Sequence, residues 1–400
     1  MAEDYQTFPL TNGPSKAGGK KLALKRNTRI LVLAIIAILA IALLVIGMRV
    51  VTYLEEEHDR MLSNTQEIID YINTVQKDWK ANWNGKISPY AKRDSYLNWK
   101  AKLGTKVRIN EGQPWNGTKP AIVKHNQDYD IADTDVPQRF DAREKWPFCH
   151  MIGVAPNQGN CGSCYAATMA QMLTDRICIH TEGRNRPYVS PYDFMMCCKD
   201  CLQAPPDACA AGQTPNQMLY HYMNEGVVST DCMPYPQGNI VNCTHHMANE
   251  ANFDYPDCED VGIAKANAYC PKLCDNGEIW GDAKYFGKEV YSIAEDVITL
   301  QKELMTNGPV MVNFYVYNDY WYYESGLYSH VWGEKVGVHG LKLIGWDTEP
   351  ISKKPYWLLV SEWGPNWAEN GMMRYQRLQW WEDTTRMFSQ PIAAIPKLKL

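Results

Sequence analysis

All 13 cysteines of this 400-residue chain fall between Cys149 and Cys274; the 148 residues before them and the 126 after hold none. Thiols this concentrated belong to a disulfide-framed domain folded in an oxidising compartment, where bridges supplement the hydrophobic core. An odd number leaves one thiol over. The remaining composition is that of a globular protein, 45% hydrophobic and 21% charged, which excludes wholesale disorder. A net charge of −5 leaves no basic excess to neutralise phosphates, so nucleic acid is excluded as a partner. At about 150 residues per domain, the length allows two or three folded units.

A second feature agrees with the first. Residues 30–47 (ILVLAIIAILAIALLVIG) form an uncharged aliphatic run of 18 residues, long enough to cross a bilayer as a helix and without the polar face of a surface helix. Lys16, Lys20, Lys21, Lys25, Arg26 and Arg29 precede it, and Glu55, Glu56, Glu57 and Asp59 follow. By the positive-inside rule, residues 1–29 are a cytosolic tail, and everything after about residue 50 is lumenal or extracellular. The competing reading is a cleaved signal peptide. The long leading segment, the long apolar run and the lack of a small-residue cleavage site favour a retained signal anchor, giving a single-pass type II membrane protein. The cysteines then lie on the oxidising side, where Asn116-Gly117-Thr118 and Asn242-Cys243-Thr244 fit glycosylation acceptors. Tyr5-Gln6-Thr7-Phe8 reads either as a sorting signal or as a polar tail with two aromatics.

Beyond the anchor, residues 55 to about 103 are polar and amphipathic, with Ile68, Ile69, Ile72, Val75 and Trp79 at roughly helical spacing. The Gly-, Asn-, Asp- and Pro-rich stretch from Gly104 to Asp135 reads as a linker. Residues 164–179 (CYAATMAQMLTDRICI) carry a helix pattern, and 191–290 read as a loop-dominated lobe tied by disulfides. Between 309 and 375, aromatic and β-branched runs broken by Gly read as strands of an antiparallel sheet. Helices first and strands later predict an α+β protein of two lobes.

The chemistry concentrates in Gln158-Gly159-Asn160-Cys161-Gly162-Ser163-Cys164-Tyr165-Ala166, at the mouth of the predicted helix. A thiol at a helix N-terminus sits near unpaired N–H groups and the positive end of the dipole, which favours thiolate. Gln158, six residues earlier, could donate an amide N–H to a developing oxyanion. Spacing alone leaves two readings open: Cys164 is a nucleophile, or Cys161 and Cys164 are two more disulfide partners. A CxxC redox or metal pair is disfavoured because no thioredoxin-like βαβ pattern surrounds it.

The run NQGNCGSCYAA resembles the active-site signature of papain-family cysteine proteases, and from about Ile68 to Pro396 the chain is similar to their cathepsin B-like members. VPQRFDAREKWPFC resembles a mature N-terminus, DRICIHT follows the nucleophile helix, and KPYWLLVSEWGPNWAENGMMRY resembles the C-terminal strand pair. DCMPYPQGNIVNCTHH resembles the occluding loop, and YINTVQKDWKANWN with SYLNWKAKLGT resembles the short propeptide. The resemblance implies a papain-like two-lobe fold made as a zymogen: a prosegment and linker over 55–135, then a peptidase domain over 136–400. Within the latter it implies a mainly helical, disulfide-rich lobe at 136–290, with an occluding loop at 232–258, and a mainly β lobe at 291–400. It implies Cys164 as nucleophile, His339 as base, and Gln158 with the Cys164 backbone N–H as oxyanion hole. Imidazole would deprotonate the thiol, and imidazolium would then protonate the leaving amine. It further implies the bridges Cys149–Cys178, Cys161–Cys209, Cys197–Cys270, Cys198–Cys201, Cys232–Cys274 and Cys243–Cys258, which leave Cys164 as the odd thiol. His245 and His246 match paired histidines that meet a substrate's C-terminal carboxylate, which would give dipeptidyl-carboxypeptidase activity. Gly212, Trp363 and Phe388 fall at substrate-binding positions. The family implies peptide or protein substrates, a monomer, no metal or organic cofactor, and a lysosomal, endosomal or, after cleavage, secreted setting.

Several positions depart from the family pattern. The asparagine that orients the family's histidine is replaced by Ser361, whose hydroxyl is shorter. The Trp after the nucleophile is Tyr165. Of the glycines flanking the substrate strand, only Gly212 is kept in Cys209-Ala210-Ala211-Gly212. The residues around the histidine are Val338 and Gly340. Phe388 stands where an acidic residue closes the second specificity pocket, which predicts an apolar P2 preference. These changes keep a second reading open: a weak or inactive homologue serving as a lumenal or extracellular binding module.

Overall fold

The computed structural model describes residues 18–82, 122–158, 162–198, 201, 215–235, 270–379, 382–383 and 388–398. The chain divides into two compact units, Met1–Asn64 and Thr65–Leu400. The long helix α1 (Gly18–Val75) begins in the first and ends in the second. Within the first unit, Ile30–Tyr53 is long and apolar enough to cross a membrane, and its aliphatic side chains are exposed on every side. A helix apolar all round has no protein face to bury and needs an apolar surrounding.

The second unit continues with β1 (Trp79–Ala81), β2 (Val123–Lys124), β3 (Phe140–Asp141), α2 (Ala142–Lys145) and α3 (Cys164–His180). Two shorter helices follow, α4 (Pro191–Met196) and α5 (Pro215–Asn224). Then come β4 (Phe286–Ile293), α6 (Val297–Asn307), β5 (Val310–Tyr317), β6 (Tyr323–Tyr328), β7 (Lys335–Thr348), β8 (Pro355–Val360), β9 (Met372–Gln376) and β10 (Phe388–Lys397). The strands run in the order β1-β6-β9-β8-β7-β5-β10-β4-β2, with β3 beside β7. All described pairings are antiparallel except β6 with β9 and β2 with β4.

Local chemistry explains where these elements start and stop. Ser190 caps α4 through its hydroxyl on Asp193 N–H, with Pro191 in the first turn, where its missing donor costs nothing. Asp296 caps α6 by accepting from Thr299 N–H at 2.8 Å, and α6 stops at Gly308, whose φ of +98° only glycine adopts without strain. The central helix α3 is buried from Cys164 to Ile179, so it tolerates neighbours on all sides. Ala166, Ala167 and Ala170 let them approach, and its buried charges are paired: Arg176 with Glu303 at 2.5 Å and Asp175 with Lys342 at 2.7 Å.

One core lies among α3, α4, α5 and parts of β4, β5 and β10; a second fills the β region, with Trp346, Trp357 and Trp367 wholly buried; a third, smaller one packs Ala142, Trp146 and Ile152 with Ile344 and Val360. Bridges Cys149–Cys178, Cys197–Cys270, Cys198–Cys201 and Cys232–Cys274 tie the helical side. Cys161, Cys209, Cys243 and Cys258 lie outside the described residues.

Upstream of residue 136, two stretches are built into the second unit. The helical spacing seen through Trp79 ends at Val75; Trp79 instead enters β1, which pairs with β6, and its indole N–H donates to the Ser329 carbonyl at 3.0 Å. Ile69 and Ile72 join the β core beside it. The described end of the linker stretch, 122–135, carries β2 and two 3-10 turns, with Lys124 paired to Glu289 at 2.7 Å.

Candidate active site

The site starts at the first residue of α3. Ser163 occupies the N-cap position, but its hydroxyl turns to Tyr235 at 2.7 Å. The Tyr235 hydroxyl gives its single proton to the Gln158 carbonyl at 2.9 Å, so Ser163 is the donor to Tyr235. Tyr235 is wholly buried, and burial holds its hydroxyl above the ordinary tyrosine range, so it stays neutral. This relay fixes both ends of the loop that carries Gln158 to Cys164. Cys164 is a buried thiol at the N-terminus of a 17-residue helix, where backbone N–H groups and the dipole favour negative charge on sulfur.

His339 comes from β7, paired in register with Phe314 of β5. The strand reaches α3 because the next residue is glycine: a Cβ on Gly340 would stand 2.9 Å from Thr168 Oγ1 and 3.3 Å from the Cys164 carbonyl oxygen. The fold thus brings the residue beside His339 against the first turn of the helix that Cys164 opens, across 175 residues of sequence. His339 is wholly buried, with its ring 4.7 Å from that of Trp363. Trp363 in turn stacks on Trp321 at 5.1 Å and meets Trp367 edge-on at 5.2 Å. This aromatic wall restricts the imidazole to one plane.

Two groups face the Nε2 edge of the imidazole. Ser361 Oγ lies 3.1 Å away, and Glu362 Oε2 lies 3.4 Å away. Glu362 was not singled out by the sequence; its only signal there is a charged residue between Ser361 and Trp363 at the end of an apolar strand. Its side chain is wholly buried, and burial holds its carboxyl well above the usual carboxylate range. Gln158 N–H donates to the Glu362 carbonyl at 2.8 Å, and Asn157 bridges Trp363. The strand end behind His339 therefore also holds the Gln158 backbone.

Phe388 opens β10 in register with Phe314, and so lies two strands from His339 at the same level of the sheet. Gly212, His245, His246, Asn116 and Asn242 lie outside the described residues. The described geometry thus gathers Gln158, Cys164, His339, Ser361 and Trp363 around the start of α3.

Residues 136–392 match the model of a family described as papain family cysteine protease. A cathepsin B-like cysteine proteinase of Schistosoma japonicum is 31% identical over 323 residues, covering 78% of this chain and 86% of its own. A cathepsin B-like cysteine proteinase 6 of Caenorhabditis elegans is 32% identical, covering 83% of each chain. Among solved structures, procathepsin B S9 from Trypanosoma congolense superposes with a TM-score of 0.66 at 25% identity, covering 84% of this chain and 99% of its own.

Proposed function

We propose that this chain, which belongs to the papain family of cysteine proteases and to its cathepsin B-like group, hydrolyses peptide bonds through a Cys164–His339 pair. The observation that carries the reading is His339: buried, walled by Trp363, held at Nε2, and delivered by Gly340 to the first turn of α3. In this reading the Cys164 thiol gives its proton to His339, and the thiolate attacks the scissile carbonyl. The oxyanion is met by the Cys164 N–H and the Gln158 side-chain amide. Imidazolium then protonates the leaving amine, and water, deprotonated by His339, hydrolyses the thioester. Ser361 holds the imidazole edge that the family holds with asparagine.

The finer specificity rests on sequence. His245 and His246 would offer positive charge to a C-terminal carboxylate and favour release of dipeptides. Phe388 would favour an apolar P2 side chain. The basic flank, the apolar helix Ile30–Tyr53 and the cysteine-rich domain after it support a type II anchor with the peptidase on the lumenal or extracellular face. Endoglycosidase should then lower the mass of the expressed protein by removing glycan from Asn116 or Asn242; an unchanged mass would count against that side of the membrane.

The test of activity is kcat/KM on one peptide with a free or an amidated C-terminus and with Phe or Arg at P2, using Cys164→Ala as the blank. Turnover above the blank, faster for the free carboxylate and for Phe, is expected. No turnover by folded protein at any pH from acid to neutral would favour the binding module, and equal rates on the two C-termini would remove the histidine-loop argument.

A further inference from the structure

We propose that Glu362 is a positioning residue for His339, sharing the Nε2 edge of the imidazole with Ser361 and supplying a countercharge when that ring becomes imidazolium. The inference deepens the reading above and rests on it for the role of His339.

The geometry places the carboxyl between the two elements that carry the reacting pair. Cys164, Thr168 and Gln171 are spaced i, i+4 and i+7, so they share one face of α3. Thr168 Oγ1 donates to Glu362 Oε1 at 2.6 Å, and Gln171 Nε2 donates to the same oxygen at 3.3 Å. One carboxyl oxygen is thus spent on the nucleophile helix. The other, Oε2, has no hydrogen-bond donor of good geometry among the described residues and lies 3.4 Å from His339 Nε2. Other buried carboxyls here, such as Asp175, also leave one oxygen without a donor among the described residues; what sets Glu362 apart is that its open oxygen lies beside the imidazole.

The charges around it set its behaviour. From β7, Lys342 draws the carboxyl down, but its ammonium is already spent on Asp175 of α3 at 2.7 Å. From the 3-10 turn after β5, the neutral hydroxyl of Tyr320 faces the same region. His339 is left as the group able to give Glu362 a new positive neighbour. With neutral imidazole, burial favours the protonated carboxyl; when His339 takes the Cys164 proton, the imidazolium favours carboxylate. By reciprocity, carboxylate at Glu362 raises the proton affinity of His339 and carries the imidazolium to higher pH. Glu362 does not touch substrate and transfers no proton to it.

The experiment uses the full-length chain in detergent, activated at acid pH, as wild type, Glu362→Gln and Glu362→Asp. Two quantities are read: the pH dependence of Cys164 alkylation by iodoacetamide, which needs no peptide turnover, and kcat and KM on a peptide. Glu362→Gln keeps the shape and the Thr168 contact but cannot ionise. The alkaline limb of its alkylation profile is expected to move down by about one pH unit, with kcat reduced about tenfold or more and KM within about twofold. Glu362→Asp keeps the charge at shorter reach and should restore the limb more than the rate. Coincident alkylation profiles for wild type and Glu362→Gln, with kcat within twofold, would overturn the proposal even if the protease reading stands. A shifted profile in a chain that cleaves no peptide would uphold the coupling while the protease reading fell. Should Glu362→Gln not fold, Glu362→Asp decides: its carboxyl is drawn back from Nε2 and should leave the limb part-way down, whereas an unmoved limb would overturn the proposal.

Discussion

With two groups on the Nε2 edge of His339, neither Ser361 nor Glu362 carries the orientation alone. Ser361→Ala removes the 3.1 Å contact but leaves the carboxyl and the Trp363 wall in place. Loss of an orienting group costs about one to four decades in rate. Ser361→Ala is expected at the mild end, about tenfold in kcat with KM unchanged, measured by steady-state kinetics on a peptide. A loss of three decades would assign the whole task to the hydroxyl. This residue scale is also where the sequence was uneven. Gln158, Cys164 and His339 stand in motifs that can be read directly, and Ser361 could be placed by the Trp363 that follows it. Glu362 could not, because the side chains that give it meaning, Thr168 and Gln171, lie 194 and 191 residues away. No local pattern announces a carboxyl whose partners are assembled by the fold. Gly340 is similar: it looks like a departure from the family until α3 is seen lying against it.

At the scale of elements, α3 was legible from its small residues and Met spacing, and it runs one residue beyond the expected 164–179. Its buried charges were not legible, since an Asp175-Arg176 pair in a helix usually means a solvated face. Those charges give α3 opposing responses to pH. Burial, then the Arg176 charge, pushes His180 down from 6.5 to about 4, so its folded form binds fewer protons than its unfolded form across that window. Its contribution to stability is complete above about pH 6.5 and is lost as pH falls toward 4. Burial raises Asp175 to about 6 despite Lys342, so the carboxylate is disfavoured in the fold and stability falls as pH rises from about 4 to 6 through that group. His180→Gln removes only the first response. The drop in Tm on going from pH 7 to 4.5 should be smaller in His180→Gln than in the wild type, read by calorimetry. An equal drop in both would mean that His180 is protonated in the fold at no cost. Strands β5, β7, β8 and β9 follow the aromatic and β-branched runs, because strands buried on both faces, as β5 is from Val310 to Val316 and β7 from His339 to Trp346, leave continuous apolar stretches in the sequence. The parallel contact of β6 with β9 leaves no such trace, since register between distant strands is written in neither of them.

At the scale of the molecule, the composition of 104–135 reads as a tether, yet its described end is sewn into the β region. β2 adds a parallel strand at Ser292 and Ile293 of β4, and Lys124 pairs with Glu289 while lying over the Tyr291 ring at 5.3 Å. Further on, the Tyr129 hydroxyl donates to the buried Glu303 at 2.8 Å, joining the carboxyl that also holds Arg176. Lys302, almost wholly buried, gives its ammonium to Asp133 at 2.6 Å and to Asn126. Gly and Asp make such a stretch look unstructured because its contacts come from polar side chains reaching inward, with no apolar period to reveal them. Cutting after Asp135 would leave Lys302 without its carboxylate and Glu303 short of one donor, both beneath the surface. Lys302 would then keep a nearly buried ammonium with no carboxylate, although solvent around the exposed Asp133 screens what that pairing contributes. Full-length chains carrying an engineered protease site before Ile122 or after Asp135 would be cleaved under the same conditions, and the Tm of each released domain compared. The form beginning at Val136 should melt below the form beginning at Ile122. Equal values would mean that the polar contacts of 122–135 are matched by water once the segment is gone, and that the segment is a tether after all.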